Sequence, residues 1–397
     1  MKFFCIIFFF CLSLTIQAKT FKEILHLYEF QAKLYTKKHN IGEVIKVTPI
    51  NINKTLKTNY WWPNHWPFTV GITSTKAFWA TFKKLTLLEL HPITHPKFKN
   101  LIDIEGNEDA TLIIADDQSN SLFLFQLSQT LDDYILLNEI PIDSPKQIEL
   151  SKSNTLAVLT YNDIKLFKLS ADTLTKNHKE TKRINKHIQA SNIISITFDK
   201  RNNLHCLTTN QIIIFNQRGH YIKTIFLKTA INDFDLSHEN NIIGYNNNTN
   251  TIHLFSKKGD LITSKSSPKF KQNIPIKFSY FPPFSYVGLY NGFEGFGYNM
   301  GLDIKEFTWK SEQLSNQHTI SFKTTFPANI TLTLLNPNKK PIQTLLENTY
   351  LSTGHHQIKF STPSKTENKY TVKLIGKATY SRSNTFNKVY KQKYRQP

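Results

Sequence analysis

Glycine is scarce in this chain, 13 among 397 residues, and with 16 prolines that excludes a collagen-like or linker protein. Cysteine is scarcer: Cys5, Cys11 and Cys206 are the whole set. Two of these fall in an expected signal peptide, so the mature chain is expected to keep only Cys206, which cannot form an internal disulfide. Inside the apolar run Leu204-His205-Cys206-Leu207 it reads as a packed small hydrophobe. Acids are few as well, 29 Asp plus Glu against 49 Lys plus Arg, for a formal net charge of +20. The bases are nearly all lysine, since the arginines are Arg183, Arg201, Arg218, Arg382 and Arg395. A codon bias toward A and T explains that composition as readily as selection for an anionic partner, and net charge speaks to solubility and non-specific binding rather than to fold. What is present is apolar: 40% hydrophobic and 13% aromatic residues exclude an intrinsically disordered chain, and the length suits two or three domains.

Long hydrophobic runs are absent after the first segment. Met1-Lys2, the apolar run from Phe3 to Leu12 extended through Leu14 to Ile16, and Gln17-Ala18-Lys19 have the basic start, apolar core and small residue of a secretory signal peptide. Cleavage is expected after Ala18. The run is shorter than the ~20 residues that span a bilayer, so the mature chain is expected in an extracytoplasmic space with no transmembrane span.

The middle of the chain repeats. Leu112 to Phe125, Thr155 to Phe167, Leu204 to Phe215 and Asn241 to Phe255 each read as an apolar strand, a polar turn rich in Asn, Asp or Ser, and a strand ending in phenylalanine. A further strand precedes each pair: Asn100 to Ile104, Gln147 to Leu150, Ile194 to Phe198 and Ile231 to Leu236. A turn and a fourth strand follow, with Gly219 and Gly259 at the bends, where positive φ is unstrained for glycine. Four strands per unit at this spacing make one propeller blade. Ile114-Ala115-Asp116 through Asn120-Ser121-Leu122, and Phe215 to Tyr221, resemble the signature of NHL-repeat β-propellers. The resemblance implies roughly six blades over residues 67–312, including an early one near Val70 to Leu88 and a late one from Tyr286 to Phe307. The Phe167 unit departs from it through a long charged region, Ser170 to Lys186. A leader, residues 19–66, is expected to close the ring by pairing with the last blade.

After Trp309 short alternating strands recur at Thr319, Ile330, Ile342, His356 and Tyr370, as in a small sandwich. Their order around Asn336-Pro337-Asn338 and Leu351-Ser352-Thr353-Gly354 resembles the FlgD-type immunoglobulin-like module, which implies a spacer or assembly surface. The fold expected is therefore all-β: signal peptide 1–18, leader 19–66, propeller 67–312, immunoglobulin-like β-sandwich 313–376 and basic tail 377–397.

Motifs for catalysis are missing: no His-Glu-x-x-His, no Gly-x-Ser-x-Gly, no phosphate or calcium loop. His91 and His95 are four apart but interrupted by Pro92 and Pro96. His205, His220, His238 and His253 occupy different repeat positions, unlike a one-per-blade metal set. Asp116-Asp117 falls on a turn and reads as a backbone cap. No catalytic, cofactor or metal residue is assigned. Two aromatic stretches offer rings for stacking on sugars or anchoring a protein. The candidates for partner binding are Trp61, Trp62 and Trp66 in the first, and Phe281, Phe284, Phe293, Phe296 and Tyr298 in the second. Lys388, Lys391, Lys393 and Arg395 of the acid-free tail are candidates for anion binding. The function read from this is a secreted or periplasmic non-catalytic binding or scaffold protein recognising protein or envelope glycan, with no specific nucleic acid partner. The alternatives are a metal-dependent propeller lyase or hydrolase, and a basic surface protein held by an anionic envelope polymer.

Overall fold

The computed structural model describes residues 44–50, 68–83, 87–107, 109–128, 133–170, 172–237, 239–266, 277–281, 286–291, 294–299, 302–311, 317–362, 370–379 and 385–391. It is all-β and propeller-type, and as far as residue 299 its sheets are built of strands consecutive in sequence. The first sheet holds β1 (Val44–Ile50), β2 (Phe68–Thr73), β3 (Ala77–Lys83) and β4 (Leu87–Ile93). The second holds β5 (Leu101–Gly106), β6 (Thr111–Asp116), β7 (Ser121–Leu127) and β8 (Tyr134–Pro141). The third holds β9 (Pro145–Leu150), β10 (Thr155–Thr160), β11 (Ile164–Ser170) and β12 (Thr173–Lys176). The fourth has β13 (Ser195–Phe198), β14 (Leu204–Leu207), β15 (Gln211–Phe215) and β16 (Tyr221–Phe226). In the fifth are β17 (Asp233–Leu236), β18 (Ile242–Asn246), β19 (Thr251–Phe255) and β20 (Leu261–Ser266). A sixth has three described strands, β21 (Lys277–Phe281), β22 (Tyr286–Asn291) and β23 (Glu294–Asn299).

These sheets meet along their leading strands: β1 neighbours β5, β5 neighbours β9, β9 neighbours β13 and β13 neighbours β17. Stacked between neighbours, the middle strands are covered on both faces, so β6 and β19 are buried at every residue. Such strands read as continuous apolar runs because neither face meets water. The repeat anchors obey one register. Phe125 pairs Leu112, Phe167 pairs Leu156, Phe215 pairs Leu204 and Phe255 pairs Ile242, all of them buried.

The turns repeat as closely as the strands. Between first and second strands, Asn107, Ser151, Asp199 and Ser237 each accept the N–H three residues on, and Ala110, Asn154, Asn202 and Asn240 take left-handed φ there. Asparagine suits that conformation because its short polar side chain tolerates it. Between second and third strands, Thr73, Asp116, Thr160 and Asn246 cap the bend by accepting N–H bonds from residues two and three along. Gly219 and Gly259 stand at φ +72° and +93°, and a Cβ on Gly259 would lie 2.3 Å from the Phe226 carbonyl oxygen.

The charged region from Ser170 to Lys186 becomes β12 and helix α1 (His178–Asn185). Strand β12 reaches only Phe167–Ser170 of β11. The helix covers the rest of that edge. Thr181 Oγ1 accepts the Leu166 N–H at 3.0 Å, and Asn185 both accepts from the Ile164 N–H at 3.0 Å and donates to its carbonyl at 2.9 Å.

Strand β1, the described part of the leader, pairs with β2 and opens the first sheet. The rest of the leader lies outside the described residues. The later residues of the expected last blade form β24 (Ile304–Ser311), which pairs with β25 (Gln317–Thr324) instead.

The chain divides into two compact units, the second holding β24 onward. There, one sheet has the order β24, β25 and β28 (Gly354–Ser361). The other runs β27 (Pro341–Leu351), β26 (Ala328–Leu335), β29 (Thr371–Ala378) and β30 (Thr385–Lys391). Burial alternates strictly in β25 and over most of β26, as in a sandwich with one wet face per sheet. Gly376 lies under Phe386, its cross-strand partner, whose ring occupies the space a Cβ would need. The sheet therefore continues past residue 376, through β30, where the sequence reading began a basic tail.

Candidate functional site

The leading strands carry polar residues at alternate positions: Asp103 and Glu105, Gln147 and Glu149, Ser195 and Thr197, Asp233 and Asp235. Period two puts each pair on one face of its strand. Their registers coincide across sheets. Lys46, Asp103, Gln147, Ser195 and Asp233 face Ile72, Ala115, Leu159, Leu207 and Tyr245, each the residue just before its hairpin bend. The repeat thus stacks one row of polar side chains across five successive sheets.

That row ties each sheet to the next. Lys46 Nζ forms an ion pair with Asp103 and lies 3.4 Å from Glu105 Oε1, all three side chains being buried. Asp103 Oδ2 accepts the Ile148 N–H of the third sheet at 2.9 Å, while Oδ1 accepts that of Ile104 at 2.7 Å. Gln147 embraces the Ile196 backbone of the fourth sheet, donating to its carbonyl at 3.0 Å and accepting its N–H at 2.9 Å. Ser195 Oγ donates to Asp233 Oδ1 of the fifth at 2.7 Å. In the second row Thr197 Oγ1 lies 3.1 Å from Glu149 Oε1 and 3.4 Å from Asp235 Oδ1. Apolar contacts are non-directional, so hydrogen bonds at one register fix how each sheet sits on the next.

Asp199 is another buried carboxylate, outside that row. It accepts N–H bonds from Arg201 at 2.8 Å and Asn203 at 2.9 Å, and its Oδ2 stands 3.5 Å from His205 Nε2. Burial pushes its pKa up, but the hydrogen bonds from His205 and Asn203 outweigh burial and hold it well below the usual carboxylate range.

Among the described residues, the other sequence-marked ones do not converge. His91 stacks on Trp79 at 4.0 Å, and His95 packs against Phe98 and Phe123. His253 is buried with Nδ1 2.8 Å from Ser264 Oγ, His220 is exposed, and His238 lies outside the described residues. Among the described residues no three His, Cys, Asp or Glu side chains gather for a metal. Asp116 spends both oxygens on backbone, accepting from Lys99, Asn100, Gln118 and Ser119, so it caps its turn. Cys206 is a free, buried thiol whose pKa burial pushes up.

Trp61, Trp62, Trp66, Phe284 and Phe293 lie outside the described residues; Phe281 ends β21 and Phe296 and Tyr298 fall in β23, with side chains not described. Of the four cationic candidates, Lys388 and Lys391 occupy β30 on opposite faces, while Lys393 and Arg395 lie outside the described residues. Lys388 turns inward and pairs with Asp303, leaving Lys391 outward. The polar row along the leading strands was missed in the sequence, although its signal is there: polar-apolar-polar triplets such as Asp103-Ile104-Glu105 and Asp233-Phe234-Asp235 open successive repeats.

No protein-family model matches the chain, and no curated protein matches it. Among solved structures, it is similar to a protein of unknown function from Desulfotomaculum acetoxidans, at 12% identity and TM-score 0.41 over 65% of this chain and 86% of that one. It is also similar to the calcium-binding protein regucalcin from Agrobacterium tumefaciens, at 14% identity and TM-score 0.39 over 62% and 84%. Hsv2 of Kluyveromyces lactis matches at 11% identity and TM-score 0.41 over 77% and 99%. At these scores no property of those proteins passes to this chain.

Proposed function

We propose that this chain is a non-catalytic binding and scaffold protein of an extracytoplasmic space that recognises protein or envelope glycan. In this reading the sheets close as a roughly six-bladed propeller of NHL type, and the second unit is a FlgD-type immunoglobulin-like appendage. The supporting observation is how the polar groups of the leading strands are used. Asp103, Gln147 and Ser195 each bond the next sheet, so side chains that a catalytic propeller would aim at a substrate serve here to join strands. Among the described residues no helix is long and apolar enough to cross a membrane.

The test is affinity capture by the full-length chain from native envelope material, with elemental analysis of the purified protein alongside. One component retained in stoichiometric amount and competed by free protein is the expected result. Stoichiometric zinc or calcium together with turnover of a glycan, lost on chelation, overturns the reading.

A further inference from the structure

The outer face of the four-stranded sheet in the second unit sets lysines among uncharged polar and apolar residues. Strand registers place its outward residues in rows: Tyr350, Asn329, Lys377 and Thr385; then Thr331, Ile375 and Asn387; then Thr344, Thr333, Lys373 and Val389; and last Lys391, beside the buried Thr371. These positions hold three lysines and no acid. The turn beside the last row adds exposed Lys339 and Lys340, while Glu347 sits in a bulge of β27 outside the paired register. Apolar surface is interleaved: Tyr350 is 61% exposed, Val389 57% and Ile375 41%.

We propose that this face binds an anionic polysaccharide lying across the strands. Charge complementarity carries the choice. Lys391 is diagonal to Lys373 across the β29–β30 pair, at about 7–8 Å, and Lys377 is four residues further along β29, at roughly 13 Å. A flexible chain with one carboxylate or phosphate per sugar reaches all three. Threonine hydroxyls and asparagine amides between the lysines offer the donors and acceptors that sugar hydroxyls require, and the Tyr350 ring offers a flat surface for a pyranose. A nucleic acid would use a succession of rings on which bases stack, and this face has one tyrosine. Lys388, by contrast, lies on the opposite face of β30, paired with Asp303, and takes no part.

The inference deepens the proposed binding role by naming a surface and a ligand class, and its test is separable from the capture experiment. Binding of the full chain to polygalacturonate is measured at low and high salt, with neutral dextran and oligo-dT as comparison ligands. Saturable binding to polygalacturonate is expected, with none to dextran and a marked loss at high salt. Lys373→Gln, Lys377→Gln and Lys391→Gln together should weaken binding about tenfold or more without changing the melting temperature. Tyr350→Ala should weaken it several-fold. Lys305→Gln, Lys323→Gln and Lys359→Gln together remove the same charge from the other sheet and should leave affinity unchanged. Absence of binding, equal losses in the two triple variants, or oligo-dT binding as tight as polygalacturonate overturns the proposal. Those outcomes leave the scaffold reading standing wherever envelope capture succeeds.

Discussion

The two units are made of the same parts and use them in opposite ways. Both are antiparallel hairpins, and both contain the same four-residue bend: Ser256 to Gly259 in the first, Asn336 to Lys339 in the second, each with the fourth N–H bonded to the first carbonyl. In the first unit β6 is buried at all six positions, whereas β25 alternates exposed or half-buried with buried residues along its length. A middle strand stacked between sheets has no wet face, so the polar residues withdraw to the leading strands, the fourth strands and the turns. A sheet with one free face keeps half its residues for solvent and ligands. Interaction surface is therefore cheap in the sandwich and confined to edges and loops in the propeller.

Ion pairs give the sharpest test of that contrast. Lys46 and Asp103 pair with side chains 5% and 3% exposed; Lys388 and Asp303 pair at 36% and 43%. Asp103→Ala should cost about 3–5 kcal/mol, because it removes an ion-pair partner of a buried lysine and the acceptor of the Ile104 and Ile148 N–H groups. Asp303→Ala should cost about 1 kcal/mol or less, since water screens the partner left behind. Urea unfolding of both variants checks this, and equal costs would mean that the buried pair contributes no more than the half-exposed one.

The shared bend comes next. Gly259→Ala should destabilise by about 2–4 kcal/mol, combining left-handed strain with displacement of the Phe226 carbonyl. Lys339 already holds φ +60° in the same position, so Lys339→Gly should lie within about 1 kcal/mol of neutral, relief of strain being offset by the greater freedom of glycine when unfolded. Thermal melts of the two variants measure the difference.

Acid should loosen both units by smaller amounts. Burial lowers the pKa of His253 in β19 and of His318 in β25, so each is favoured neutral in the fold. Their share of stability is complete above the unfolded value near ~6.5 and is lost as pH falls below it. The pH dependence of melting between about 7.5 and 5 should flatten in part in His253→Gln and in part in His318→Gln. Asp199 acts lower: its depressed pKa means that its contribution persists until pH drops below ~3.9. The smallest effect expected is at Thr333, outward on β26, where Thr333→Val should change stability by less than ~0.5 kcal/mol.

Much of the fold was legible because the repeat is written in local chemistry. Phe125, Phe167, Phe215 and Phe255 mark third strands, Gly219 and Gly259 mark bends, and Asp116 marks a capped turn. The helix at His178–Asn185 was not legible, since its role depends on how much of the β11 edge the short β12 leaves uncovered. Neither was the place of β1, because a lone strand pairs with whichever edge the tertiary arrangement brings near. Lys388 and Lys391 looked equivalent in an acid-free tail. Only the pairing of β30 with β29 sends one inward to Asp303 and leaves the other on the open face.

The sequence by itself determined the strand periodicity, the turns and the four-strand unit, all of which depend on residues within a few positions of one another. Tertiary structure alone decided which polar residues became structural ties and which lysines stayed free for a ligand. Those outcomes depend on the register between strands up to dozens of residues apart, where a slip by one residue exchanges the inner and outer faces.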